Sequence, residues 1–129
     1  MGRIVVGFDG SEHARRALER AVALVAGGGS IAVVSAAKVS ALMRDPADAE
    51  ERAKALDAAR SFLTGKGIEA DYIEGHGDPA DVLVQEAKES GAELIIVGTR
   101  GLNVAERLLL GSVSTKVLHH APCDVLVVR

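Results

Sequence analysis

Apolar and polar positions alternate along this chain in two distinct rhythms. Short β-branched runs, apolar on successive residues, recur between longer stretches with an apolar residue every three or four positions. The runs predict strands at about residues 3–8, 30–36, 68–74, 93–97 and 124–128. The first, fourth and fifth are apolar on successive residues, as strands buried on both faces should be. The longer stretches predict helices. Ser11 can cap a first helix whose stripe is Ala14, Ala17, Leu18, Ala21, Val22 and Val25, and Gly27-Gly28-Gly29 ends it. Asp45-Pro46 starts a second helix carrying Ala49, Ala53, Leu56, Ala59 and Phe62 inward to about Gly65. Asp78-Pro79 repeats that start signal for a third helix presenting Val82, Leu83 and Ala87. Ser112 opens a fourth, with Val113, Val117 and Leu118 inward, and Pro122 stops it. Residues 38–44 have little pattern and read as a loop.

Alternating β and α elements joined by short turns predict a single α/β domain over residues 1–129, a parallel sheet with helices on both faces. Ligands of such sheets bind beyond the carboxyl ends of the strands, where the strand order reverses. The loops after the first strand (Gly7 to Ser11), the second (Ala36 onward) and the fourth (Gly98 onward) leave that edge.

The last of these carries the most distinctive pattern. After Leu94-Ile95-Ile96-Val97 come Gly98, Gly101 and Gly111-Ser112, spaced G-x2-G-x9-G-S and opening onto the fourth helix. Glycine allows close backbone approach to an anion, and a helix N-terminus offers free N–H groups and a favourable dipole. A strand-to-helix turn with a cap would need fewer small residues. The spacing is neither G-x-x-x-x-G-K-[ST] nor G-x-G-x-x-G after the first strand.

This segment resembles the nucleotide-binding signature of the ATP-binding subgroup of the universal stress protein family. Ile4-Val5-Val6-Gly7-Phe8-Asp9-Gly10-Ser11 resembles the family's opening strand and aspartate turn. Gly75-His76-Gly77-Asp78-Pro79-Ala80 resembles its turn into the third helix, and Ala121-Pro122-Cys123-Asp124-Val125-Leu126-Val127-Val128 its closing segment. The resemblance implies a Rossmann-like sheet of order 3-2-1-4-5, so that the Asp9 and Gly98 loops face each other. It implies ATP, with Mg2+, as ligand. Gly98, Gly101, Gly111, Ser112, Val113 and Ser114 fall on the positions that hold ribose and phosphates, with Thr99 and Arg100 at variable positions inside the motif. Gly7 and Asp9 match the end of the first strand beside the adenosine, and Asp9 is the candidate Mg2+ ligand. Ala36 matches the adenine contact after the second strand. The family implies a nucleotide-dependent regulator in stress response, with at most slow ATP hydrolysis. It also implies a homodimer through the fifth strand, Val125, Leu126, Val127 and Val128. The alternative is a dimeric interaction module in which nucleotide is structural or absent.

Composition narrows the function further. Fifteen basic against eighteen acidic residues give a net charge of -3, and Phe8, Phe62 and Tyr72 are the aromatics, so nucleic acid is not an expected partner. No apolar run approaches the ~20 residues of a membrane span, and Met1 leads straight into strand residues, so the expected location is the cytoplasm. The lone Cys123 excludes an internal disulfide and reads as a small buried hydrophobe. A phospho-acceptor receiver needs clustered carboxylates after the first strand and a Lys near the end of the fifth. Here Asp9 stands alone and the fifth strand has no Lys. No Ser/His/Asp set has hydrolase spacing. His119-His120 suit a helix C-terminus better than a metal, and His76, between two glycines, reads as an exposed turn residue.

Overall fold

A computed structural model describes residues 1–37, 46–99 and 111–129, with the side chains of residues 37 and 46–49 also left aside. The order of elements is β1 (Arg3–Gly7), α1 (Glu12–Val25), β2 (Ser30–Ala37), α2 (Pro46–Gly65), β3 (Ala70–His76), α3 (Pro79–Ser90), β4 (Leu94–Gly98), α4 (Ser112–His120) and β5 (Asp124–Val128). The strands form one sheet of order β3-β2-β1-β4-β5, and every pairing is parallel. The predicted strand order is therefore the observed one.

Burial explains the uninterrupted apolar runs. Ile4, Val5 and Val6 are all fully buried, although successive side chains of a strand point to opposite faces. Ile4, Val6, Ile31, Val33 and Ile96 pack under α1 and α2. Val5, Ala32, Val34, Ile95 and Val97 pack under α3 and α4. The sheet is thus the middle layer of three, and β1 and β4 lie at its centre, where the order reverses.

Local signals set the helix boundaries. Ser11 is the N-cap of α1, and its hydroxyl accepts from the Ala14 N–H at 3.2 Å. Pro79 opens α3, which ends on Gly91 in the left-handed conformation (φ 65°). Gly10 also has a positive φ, 85°, in the turn between β1 and α1, where other residues would be strained.

Several expectations need correction. In α2, Leu56 and Ala59 are buried and Phe62 packs on the core as predicted, but Ala53 is exposed and Arg52, Ala55 and Leu63 are buried as well, so the stripe is shifted in part; the Ala49 side chain lies outside the described residues. An alanine-rich helix offers several self-consistent stripes, and tertiary packing selects one. Leu118 is 46% exposed, not inward. β3 begins two residues later than predicted and includes His76, because it stays paired with β2 as far as Ala37. α4 opens at Ser112, as expected, with Gly111 as its N-cap. Cys123 is half-buried beside the α3–α4 core, and burial followed by the nearby Asp124 charge pushes its thiol pKa up. The predicted loop at 38–44 lies outside the described residues.

Candidate functional site

At the carboxyl edge of the sheet, over the β1–β4 reversal, lies an open cavity of about 200 Å³ with a mostly apolar lining. Gly7, Phe8 and Asp9 enter it from the end of β1, and Val97 and Gly98 from the end of β4. Val34 and Ala36 of β2 form a further wall. Helix residues complete it: Ser11 and Ala14 at the start of α1, Pro79 and Leu83 on α3, and Val113 on the first turn of α4.

Two glycines shape this cavity for reasons of packing. A Cβ on Gly7 would sit 3.0 Å from Cδ1 of Leu83 and 3.3 Å from Cγ1 of Val97. Its absence leaves room for Leu83 to floor the crevice. A Cβ on Gly98 would sit 2.7 Å from Cβ of His13 and 3.0 Å from its carbonyl carbon. Real Cβ atoms do not approach so closely, so Gly98 is required for α1 to start against the end of β4.

The polar groups are local. The Ser11 N–H donates to Asp9 Oδ1 at 2.9 Å, closing an Asx turn that leads into α1. The Gly111 N–H donates to the Thr99 carbonyl, which brings the N-cap of α4 back to the end of β4. The same carbonyl accepts from Ser114 Oγ at 3.2 Å, and Ser114 Oγ is also 3.0 Å from the Gly111 carbonyl. The N-cap of α4 supplies no side-chain cap. The N–H groups of its first turn, on Ser112 and Val113, have no acceptor within the helix, as at every helix start. Unsatisfied N–H groups at a helix start, with the helix dipole, suit an anion, and these lie beside the crevice.

Of the sequence candidates, Gly7, Asp9, Ala36, Gly98 and Val113 line the same cavity. Thr99, Gly111 and Ser114 form a hydrogen-bonded layer, all three buried. Ser114 is 1% exposed and its hydroxyl faces backbone carbonyls. Ser112 is exposed on the first turn of α4. Arg100 and Gly101 lie outside the described residues. Sequence reasoning missed Leu83 as a cavity wall, although its helical phase marked it inward. It also missed Pro79, read as a helix start alone, and His13. Thr99 Oγ1 and His13 Nδ1 share a hydrogen bond of 2.7 Å, with the donor set by the imidazole tautomer.

Lys116 fixes α4 against α3 below the crevice. Its Nζ donates to Asp78 Oδ2 at 2.6 Å and lies 3.0 Å from Asp81 Oδ1, and these two hydrogen bonds hold its pKa above the ordinary lysine value. Both carboxylates sit at the start of α3, so the pair positions Pro79 and Val113 on opposite helices. Among the described residues no three His, Cys, Asp or Glu side chains gather as a metal cluster. Among them, too, no helix is long and apolar enough to cross a membrane.

A family model, described as "Universal stress protein family", matches residues 1–129. The chain belongs to the universal stress protein family. A universal stress protein of Bacillus subtilis is 32% identical over 98% of both chains. The solved universal stress protein of Lactobacillus plantarum superimposes with a TM-score of 0.87 at 27% identity, covering 99% of this chain and 97% of its own. A universal stress protein solved in complex with cAMP gives 0.79 at 29% identity, covering 99% and 97%. One from Archaeoglobus fulgidus in complex with dAMP gives 0.76 at 25% identity, covering 100% and 98%. Adenine nucleotides are thus ligands of similar members of this fold, and the five-stranded Rossmann-like architecture is shared with them.

Proposed function

We propose that this protein binds ATP in the crevice over β1 and β4 and acts as a nucleotide-dependent regulator. The observation that carries the reading is the convergence of an apolar cavity and an uncapped helix start. Val113 belongs to both. The chemistry fits a nucleotide. The base packs against Val34, Ala36, Leu83 and Val97, aliphatic groups rather than stacking rings. A cavity of about 200 Å³ is smaller than the roughly 300–1,000 Å³ that usually encloses a whole drug-sized ligand. It therefore takes the base and sugar and leaves the phosphates at its rim. There the backbone N–H groups of Ser112 and Val113 receive them; Gly98, Arg100 and Gly101 of the same motif are further proposed contacts, while Thr99 and Gly111, bonded to each other, hold the turn in place. Ser112, exposed, is a direct hydroxyl donor; Ser114 supports the turn from beneath.

Asp9 stands at the mouth beside Gly7. A single carboxylate suits Mg2+, which is held by one or two carboxylates together with phosphate oxygens and water. The bound ion would supply charge neutralisation for the triphosphate. Among the described residues that line the cavity, Asp9 is the candidate general base. The dimer reading draws on β5. Among the described residues it is a sheet edge, with Val125, Leu126 and Val127 half-buried, and an apolar edge of this kind invites pairing with a second copy. Nucleotide released from the purified protein on denaturation, together with calorimetric titration of ATP, tests the binding reading. Released or titratable ATP at one per chain is expected; an empty protein that gives no heat with ATP would overturn it.

A further inference from the structure

We propose that His13 is a positioning residue for this site, acting through Thr99 on the start of α4; the proposal rests on the reading of the crevice as a nucleotide site. Thr99 is only 6% exposed, and each of its polar groups is engaged. Its N–H donates to the Val128 carbonyl at 2.8 Å. Its carbonyl receives the Gly111 N–H and the Ser114 hydroxyl. Its hydroxyl meets His13 Nδ1 at 2.7 Å. One residue therefore joins α1, β5 and α4.

The consequence is geometric. The Thr99 carbonyl takes two hydrogen bonds from the first turn of α4, so its direction sets where Gly111 and Ser114 sit. The free N–H groups of Ser112 and Val113 follow. A peptide plane turns with its flanking torsions, and His13 holds Thr99 in one rotamer. Without the imidazole, a buried hydroxyl loses its partner, and such a group either reorients or draws in water. Either response reaches the carbonyl on the same residue.

His13 has little to do for the core. It is half-buried, whereas the buried stripe of α1 is Ala14, Ala17, Leu18 and Ala21. A role confined to stabilising α1 would leave α4 unaffected. A positioning role moves α4 first.

The test uses the full chain as wild type, His13→Ala, His13→Asn, Thr99→Val and Thr99→Ser. Amide hydrogen exchange at Gly111 reads the clasp directly, and calorimetric titration of ATP reads the site. His13→Ala and Thr99→Val should each speed Gly111 exchange about ten-fold and weaken ATP by a similar factor. Exchange at Val5 and Ile95 should be unchanged, separating the effect from general destabilisation. Asn offers a polar atom close to the place of Nδ1, and Ser keeps the hydroxyl, so both conservative variants should stay near wild type. Unchanged Gly111 exchange in His13→Ala and Thr99→Val would overturn the proposal, as would equal losses in His13→Ala and His13→Asn. If the wild type binds no ATP, the reading of the crevice fails, and Gly111 exchange still decides the clasp.

Discussion

Gly98 and His13 meet where β4 ends and α1 begins, so closely that a Cβ on Gly98 would lie 2.7 Å from the Cβ of His13. Backbone atoms of His13 and Ala14 stand just behind, so no rotamer change can make room. Gly98→Ala should therefore cost about 1–3 kcal/mol of stability, the usual range for overpacking a filled interior. Denaturant unfolding checks this. ATP affinity should fall as well, because α1 must shift away from Thr99. A variant as stable as wild type would remove Gly98 from this packing role.

Asp9 serves a turn and, in the proposed reading, a ligand. Its Oδ1 accepts from the Ser11 N–H. Asp9→Ala should cost the fold about 1 kcal/mol or less, as loss of a local capping-type bond does. It should weaken ATP in the presence of Mg2+ by about ten-fold or more, as expected for loss of a charge-assisted contact. Paired unfolding and titration curves separate the two. Affinity unchanged while stability falls would assign Asp9 to the turn alone.

The sheet was readable from the sequence because its strands are buried on both faces. Runs such as Ile4-Val5-Val6 and Leu94-Ile95-Ile96-Val97 admit no other environment in a short α/β chain. The glycine spacing was read directly off the residues, whereas the strand order came from a family resemblance, not from periodicity. The phase of α2 was readable only in part: Ala49, Ala53, Ala55, Ala58 and Ala59 allow competing stripes, and the contact with β2 and β3 chose the one that buries Leu63. At the crevice, Gly7, Asp9, Ala36 and Gly98 were legible because they lie where strands end on the carboxyl edge, and Val113 came from the family resemblance. His13, Leu83 and Pro79 were not, because their relevance lies in what they touch across the fold. Gly98 shows the difference. Its sequence context pointed to an anion, and the fold adds a helix packed against it.

Arg52 and Glu74 form an uneven pair. Arg52 Nε donates to Glu74 Oε1 at 3.3 Å, with side chains 8% and 40% exposed. Nη1 of Arg52 is buried without a hydrogen-bond partner. Glu74→Ala leaves a buried cation uncompensated and should cost about 1–3 kcal/mol, reduced from the fully buried case by the exposure of Glu74. Arg52→Met removes the charge along with its orphaned donor and should change stability by about 1 kcal/mol or less. Unfolding of both variants is the check. A larger loss for Arg52→Met would mean that the guanidinium packs and bonds better than its pairing indicates.

β5 is the test of assembly. Among the described residues no strand neighbours its outer edge, and Val127 is half-buried. Light scattering should return a mass of two chains. Val127→Pro, which removes an edge N–H and bends the strand, should give monomers or aggregates. A wild-type monomer at micromolar concentration would contradict the dimer.

Titration of ATP into the labelled protein, followed residue by residue in amide NMR spectra, tests the central claim most directly. The nucleotide reading predicts saturable shifts at Gly7, Asp9, Ala36 and Gly98, and at Ser112 and Val113 on the first turn of α4. No shift up to millimolar ATP would contradict it. So would shifts confined to the groove between α3 and α4, where Asp81, Lys88 and Lys116 offer charge without the apolar crevice.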